Sequence, residues 1–159
     1  MGIDNEGHFR LSSGDVLKIT FKGNPVTKKN SQRIMKNSKT GAPFISPSAK
    51  YKAYENECLW SIHKQAAMLR RSGKPIKQKV NVCVAYFMES RRRVDLVNLL
   101  EATLDILVSG GILVDDCADI VAGTDGSAVF YDSERPRAEI YIMPYADVKT
   151  TANIERWAE

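Results

Sequence analysis

The ten residues Lys79-Val80-Asn81-Val82-Cys83-Val84-Ala85-Tyr86-Phe87-Met88 constrain the fold of this chain most. They are rich in β-branched and aromatic side chains, and apolar groups fall on both faces of an extended run. Such a segment is a strand, and apolar content on both faces places it centrally in a sheet. Three arginines, Arg91, Arg92 and Arg93, end it. The period then changes: Leu96, Leu99, Leu100, Thr103 and Leu107 recur on one helical face from about Asp95 to Val108, and Gly110-Gly111 closes the helix.

The flanking sequence supplies the remaining elements. Val16–Gly23 alternates as a strand and stops at Gly23-Asn24-Pro25. After the basic loop Pro25–Ser31, Arg33–Lys36 and Pro43–Ile45 form the arms of a hairpin. Ser46-Pro47-Ser48 starts a helix of about 23 residues, along which Tyr51, Tyr54, Cys58, Ile62, Ala66 and Leu69 share a face. Tyr51 and Tyr54 are read as core. Ile120–Ala122, Ala128–Tyr131 and Arg137–Met143 are short strands. Strands and helices mix within one unit, so the fold class is α/β (α+β), a single domain with one mixed β-sheet packed against two main helices. Residues 1–15 read as a flexible N-terminal tail, 16–145 as the domain, and 146–159 as a C-terminal tail.

A chain of 159 residues is about one domain. No run approaches the roughly 20 apolar residues of a membrane span, and the polar N-terminus lacks the apolar core of a signal peptide. A cytoplasmic protein with no membrane partner is expected. Cys58, Cys83 and Cys117 lack metal-binding spacing and read as reduced, mostly buried thiols. Without a His/Cys cluster zinc is not expected, and without a Gly-rich phosphate loop no nucleotide cofactor is implied.

The net charge of +4 hides a separation of signs. Residues 1–93 hold 19 Lys+Arg and 6 Asp+Glu, a balance of +13, whereas residues 94–159 hold 4 and 13, a balance of −9. The basic part suits a polyanion. The acidic part then needs a reason other than repulsion from that partner, and metal binding supplies one. Phosphodiester hydrolysis calls for a metal-bound water and positive charge on the non-bridging oxygens, and clustered carboxylates hold Mg²⁺ because it is a hard ion. Asp95 at a helix start and Asp116 beyond its end can converge only if the chain folds back. Taken alone, an aspartate such as Asp95 at a helix start is more often a cap or dipole partner, and Asp115-Asp116 reads as well as a surface turn.

The block Arg93-Val94-Asp95-Leu96-Val97-Asn98-Leu99-Leu100-Glu101-Ala102, followed by Gly111-Ile112-Leu113-Val114-Asp115-Asp116, resembles the RusA-type Holliday junction resolvases of phages and prophages. Pro25–Asn30 and Ser46–Tyr54 resemble that family's N-terminal loop and its following helix start, so the resemblance covers roughly residues 16–143. It implies a Mg²⁺-dependent endodeoxyribonuclease, with Mn²⁺ as a substitute, that resolves four-way junctions in recombination and repair. It also implies a homodimer, and a cytoplasmic, nucleoid-associated place in a bacterial host. Asp95 and Asp116 match the family's metal-binding catalytic aspartates, Asp115 supports them, and Asn98 matches the motif asparagine. Lys28, Lys29, Arg33, Lys36, Lys50, Lys52, Arg91, Arg92 and Arg93 are the candidate DNA contacts, neutralising phosphates without reading sequence.

Two positions depart from the family pattern. Val97 stands where a second aspartate is usual, and Glu101 where a lysine is usual. Positions 97 and 101 share a helical face, so one hypothesis moves the third catalytic carboxylate to Glu101. The lost lysine then needs another cation, with Lys28, Lys29 and Arg93 as candidates. The competing readings are a branched-DNA-binding protein that lost a metal ligand at Val97, and a nuclease for some other branched or single-stranded substrate.

Overall fold

The computed structural model describes residues 1–28, 32–36, 38–65 and 73–145, with the backbone alone at 32, 33, 35, 44 and 45. The expected C-terminal tail, Lys29 and the Arg33 side chain lie outside the described residues. The element order is β1 (Gly2–Ile3), β2 (Phe9–Arg10), β3 (Leu17–Lys22), β4 (Gln32–Lys36), β5 (Pro43–Pro47), α1 (Ala49–Gln65), β6 (Val80–Met88), α2 (Leu96–Ser109), β7 (Val121–Gly123), β8 (Ala128–Tyr131) and β9 (Arg137–Pro144).

Strand β6 is central, as its apolar content requires. On one side it pairs antiparallel with β9, which pairs antiparallel with β3. On the other side β7 lies parallel beside its start (Val80↔Val121) and β8 parallel beside its end (Ala85↔Ala128 to Met88↔Tyr131). A parallel neighbour cannot be reached by a tight turn, so the chain leaves β6, returns along α2, and only then lays down β7 and β8. The result is a mixed five-stranded sheet with the small antiparallel pairs β1–β2 and β4–β5 outside it.

Both helices sit on one face of the sheet. The alternate residues Val80, Val82, Val84, Tyr86 and Met88 of β6, Ile19 and Phe21 of β3, and Ala138, Ile140 and Ile142 of β9 are buried. Over them lie Tyr51, Tyr54, Cys58 and Ile62 of α1 with Leu99, Ala102, Thr103, Ile106 and Leu107 of α2. Tyr51 and Tyr54 are therefore core residues, as their helical spacing suggests. A Cβ at Gly110 would run into Ile62, so that glycine sets how closely the end of α2 approaches α1. Inside this apolar layer the Tyr86 hydroxyl meets Thr103 Oγ1 at 2.8 Å. The opposite face, with Phe87, Arg137, Glu139 and Tyr141, is half-buried and neither helix covers it. There Glu139 accepts from Arg137 Nε (2.7 Å), Tyr141 Oη (2.7 Å) and Lys18 Nζ (3.0 Å). These donors, Tyr141 foremost, hold its carboxyl down to about 2.

Two expectations change. The first fifteen residues dock rather than trail: Phe9 and Leu11 are buried, Phe9 N–H donates to the Lys74 carbonyl at 2.9 Å, and the Gln78 amide brackets the Leu11 backbone. The isolated apolar residues at 9 and 11 were too short a pattern to announce a strand. Among the cysteines, Cys58 is buried and its thiol pushed up to about 12 by that burial, but Cys83 is half-buried and Cys117 exposed, all three unbridged. No helix among the described residues is long and apolar enough to cross a membrane.

Thr103→Val strands the buried Tyr86 hydroxyl and should destabilise the fold by about 1–3 kcal/mol, read as a shift in the urea midpoint at unchanged slope. Glu139 is depressed relative to its usual value of 4.5. Its stabilising effect is therefore complete above pH about 4.5 and lost as pH falls towards 2. Glu139→Gln should flatten the pH dependence of the melting temperature across that window.

Candidate functional site

Asp95 is the N-cap of α2, in an extended backbone conformation, with Oδ1 accepting from the Val97 N–H at 2.9 Å. This is the usual work of an aspartate before a helix: it satisfies one of the backbone donors that the first turn leaves unpaired. Its Oδ2 accepts from Asn98 Nδ2 at 3.2 Å. The motif asparagine thus fixes the rotation of the carboxylate, a role that three-residue spacing on a helix makes possible. Asp95 remains exposed, and the neighbouring Val97 is 68% exposed with no polar atom to offer.

The basic groups gather around this helix start unevenly. The Asn24 side chain accepts from the Glu89 N–H at 3.0 Å, tying the Pro25 loop to the end of β6. Between them lies a cavity of about 290 Å³ lined by Thr27, Lys50, Arg92, Arg93 and Val94, among others. On the far side of the arginines a second cavity, about 420 Å³, is lined by Arg91–Arg93, Val94 and Val129–Tyr131. Both abut the residue before Asp95. Lys52 is exposed on α1, and Lys36 is exposed at the turn end of the β4–β5 hairpin, the end farther from α1. Lys28 pairs with Asp105 through Nζ and Oδ2 at 2.6 Å, which raises its pKa, with Glu55 and Glu101 adding to the effect.

Glu101 belongs to this second cluster. Six positions beyond Asp95, it projects ~120° around the helix and ~9 Å along it. It lies one turn from Asp105, on the side of α2 where Lys28 sits. The cation that neighbours position 101 is accordingly Lys28, one of the three candidates for the missing lysine.

Asp115 and Asp116 are exposed, and Asp115 Oδ1 accepts from the Asp116 N–H at 2.8 Å. They are held at the other end of the sheet. Just before them, Val114 donates to the Ile76 carbonyl. Just after them, the Cys117 carbonyl accepts from Ile120 and Val121, and Val121 pairs with Val80 at the start of β6. Asp95 follows the end of β6, so the fourteen residues of α2, ~20 Å of helix, separate the two carboxylate groups. The chain does not fold back within one copy. Among the described residues no three His, Cys, Asp or Glu side chains come together as a metal set.

Two further acidic residues of the second half take part in structural contacts, Asp132 through its carboxylate and Asp125 through its backbone. Asp132 pairs with Arg137 at 2.9 Å. Asp125 is clamped by Asn81, whose Oδ1 accepts from its N–H (2.9 Å) while Nδ2 donates to its carbonyl (3.1 Å). Sequence reasoning missed Asn81, although a polar side chain inside the most apolar strand was the signal.

Asp95→Asn preserves a good capping residue and should leave stability nearly unchanged, whereas Asp95→Ala should cost about 1 kcal/mol. Thermal melts of the two variants separate capping from chemistry.

A family model described as "Endodeoxyribonuclease RusA" matches residues 22–143. A search of curated proteins finds no match.

Proposed function

Because the chain belongs to the RusA endodeoxyribonuclease family, which acts on DNA junctions, we propose that it is a Mg²⁺-dependent resolvase of four-way junctions in recombination and repair. The observation that carries this reading is Asp95. It is an exposed carboxylate oriented by Asn98 at the head of α2, two positions after the last of three exposed arginines. Phosphates drawn to Arg91–Arg93 are thereby brought against a carboxylate, which is the pairing that metal-assisted phosphodiester hydrolysis needs.

The donor chemistry of Asp95, Asp115 and Asp116 suits a hard cation. Mg²⁺ is commonly held by one or two carboxylates with water and substrate phosphate completing the shell, and Mn²⁺ takes the same oxygen donors. When bound, the ion supplies Lewis acidity and a more acidic water. One chain presents the carboxylates ~20 Å apart, so a site using both groups is assembled between copies. A two-fold related protomer reverses the direction of α2, and Asp95 of one protomer then meets the partner's Asp116. This arrangement also gives the paired sites that symmetric cutting of a junction requires. The protein's own side chains do the rest: Asn98 fixes Asp95, and Arg92, Arg93 and Lys50 bind and orient the phosphodiester chain. Glu101 stands ~9 Å along α2 from Asp95 and within electrostatic reach of Lys28, which weakens the idea that it replaces the carboxylate absent at Val97.

Purified protein should cut a four-way junction with Mg²⁺ and not with EDTA. Asp95→Asn and Asp116→Asn should each reduce cutting by about 100-fold or more, and Asn98→Ala by about 10–100-fold. Glu101→Gln should retain activity. Co-expressed Asp95→Asn and Asp116→Asn chains should recover activity, because a mixed dimer keeps one intact site only if each site draws on both chains. Failure of the mixture while each parent dimer still binds junctions would refute assembly between copies. The exposed valine at position 97 favours a second reading, a junction-binding protein that no longer cuts. Binding that survives EDTA, with no cleavage under any divalent ion, would establish it instead.

A further inference from the structure

Strand β8 ends the sheet beside the arginine run, and its outer residues are apolar although nothing described covers them. Val129, Phe130 and Tyr131 are 39%, 50% and 46% exposed. Ordinary edge strands carry charge there to discourage association. The rings are held rather than loose. Phe130 stacks on Phe87 with centroids 5.3 Å apart and planes 24° apart. Phe87 is itself backed by the Arg137 guanidinium, 3.7 Å from its centroid. Arg137 is fixed in turn by Asp132 and Glu139. On the other face of β8, Arg91 lies 4.8 Å over the Tyr131 ring. An ordered column of cation, ring and ring thus ends in a half-exposed ring, and the 420 Å³ cavity beside it is lined by Arg91–Arg93.

Exposed rings next to guanidinium groups match a particular ligand chemistry. Nucleobases stack on aromatic side chains whatever their sequence, while the phosphates beside them are neutralised by arginine. A continuous duplex cannot use such a surface, because its bases are stacked on one another. An unstacked base at a branch point can. A second copy of this chain suits the patch less well, since a two-fold centred here sets the arginines of one protomer against those of its partner. Arg92 and Arg93 make no ion pair among the described residues, so their charge is available.

We propose that the cavity between Arg91–Arg93 and Val129–Tyr131 takes an unstacked nucleobase of branched DNA, held against the aromatic rim of β8. The idea rests on the junction-directed reading above and specifies how a branch is distinguished from a duplex. Val94 lines this cavity and precedes Asp95, so a base seated there sets which phosphate lies near the carboxylate.

The test needs no catalysis. Wild type, Phe130→Ala, Tyr131→Ala, and the conservative Phe130→Tyr and Tyr131→Phe are titrated in EDTA against a four-way junction and a linear duplex by fluorescence anisotropy. A junction carrying 2-aminopurine at the branch point reports stacking. The alanine variants should weaken junction binding roughly tenfold to a hundredfold with little change on duplex. The conservative variants should bind as wild type does, and 2-aminopurine should be quenched by wild type but not by the alanine variants. Melting curves and sedimentation of each variant accompany the titrations. Unchanged junction affinity in folded alanine variants overturns the proposal and leaves the nuclease reading intact. So does equal loss on junction and duplex, or dissociation into monomers, which would make β8 an interface between copies. If wild type itself fails to bind the junction, both readings fall.

Discussion

Every other feature depends on the burial of one face of β6 under α2. Val82, Val84 and Tyr86 leave no water above the strand, and Ile106, Leu107 and Leu99 close the layer from the helix side. Because the next strands must run parallel to β6, the helix has to carry the chain back along the sheet's full length before β7 can start. The helix therefore acts as a ruler as well as a lid. Its first residue is preceded by Asp95, and the turn after it carries Asp115-Asp116. The distance between the two carboxylate groups is thus a consequence of the crossover, set by the same packing that stabilises the core.

The two ends of that ruler differ in electrostatic character. At the Asp95 end the arginine run, Lys50 and the Pro25 loop make a basic floor around one carboxylate. At the far end the aspartate pair stands exposed and free of ion pairs among the described residues. A valine at position 97 is tolerated structurally because it is solvent-exposed and lies outside the core.

Much of this was readable from residues alone. The strand at 80–88, the helix capped by Asp95 and the strand at 128–131 follow from period and composition. The membership in the RusA family follows from the 95–116 block. Less readable was the N-terminal segment, whose two buried side chains find their partners at Lys74 and Gln78, more than sixty residues away. Equally hidden was the pairing of Lys28 with Asp105, far along the sequence. A charged residue's partner is a tertiary fact, and no local pattern contains it.

The sequence by itself determined the local features of the candidate site: a carboxylate at a helix head, an asparagine three positions on to orient it, arginines before it and an aspartate pair after the helix. Local spacing suffices for these because caps and helical neighbours are set within one turn. Only the tertiary structure decided that the two carboxylate groups stand a helix length apart and that Glu101 lies within electrostatic reach of Lys28. It also decided that the aromatic edge of β8 flanks the arginines. Those relations come from how β6, α2 and β8 are laid side by side, which depends on packing between segments far apart in the chain.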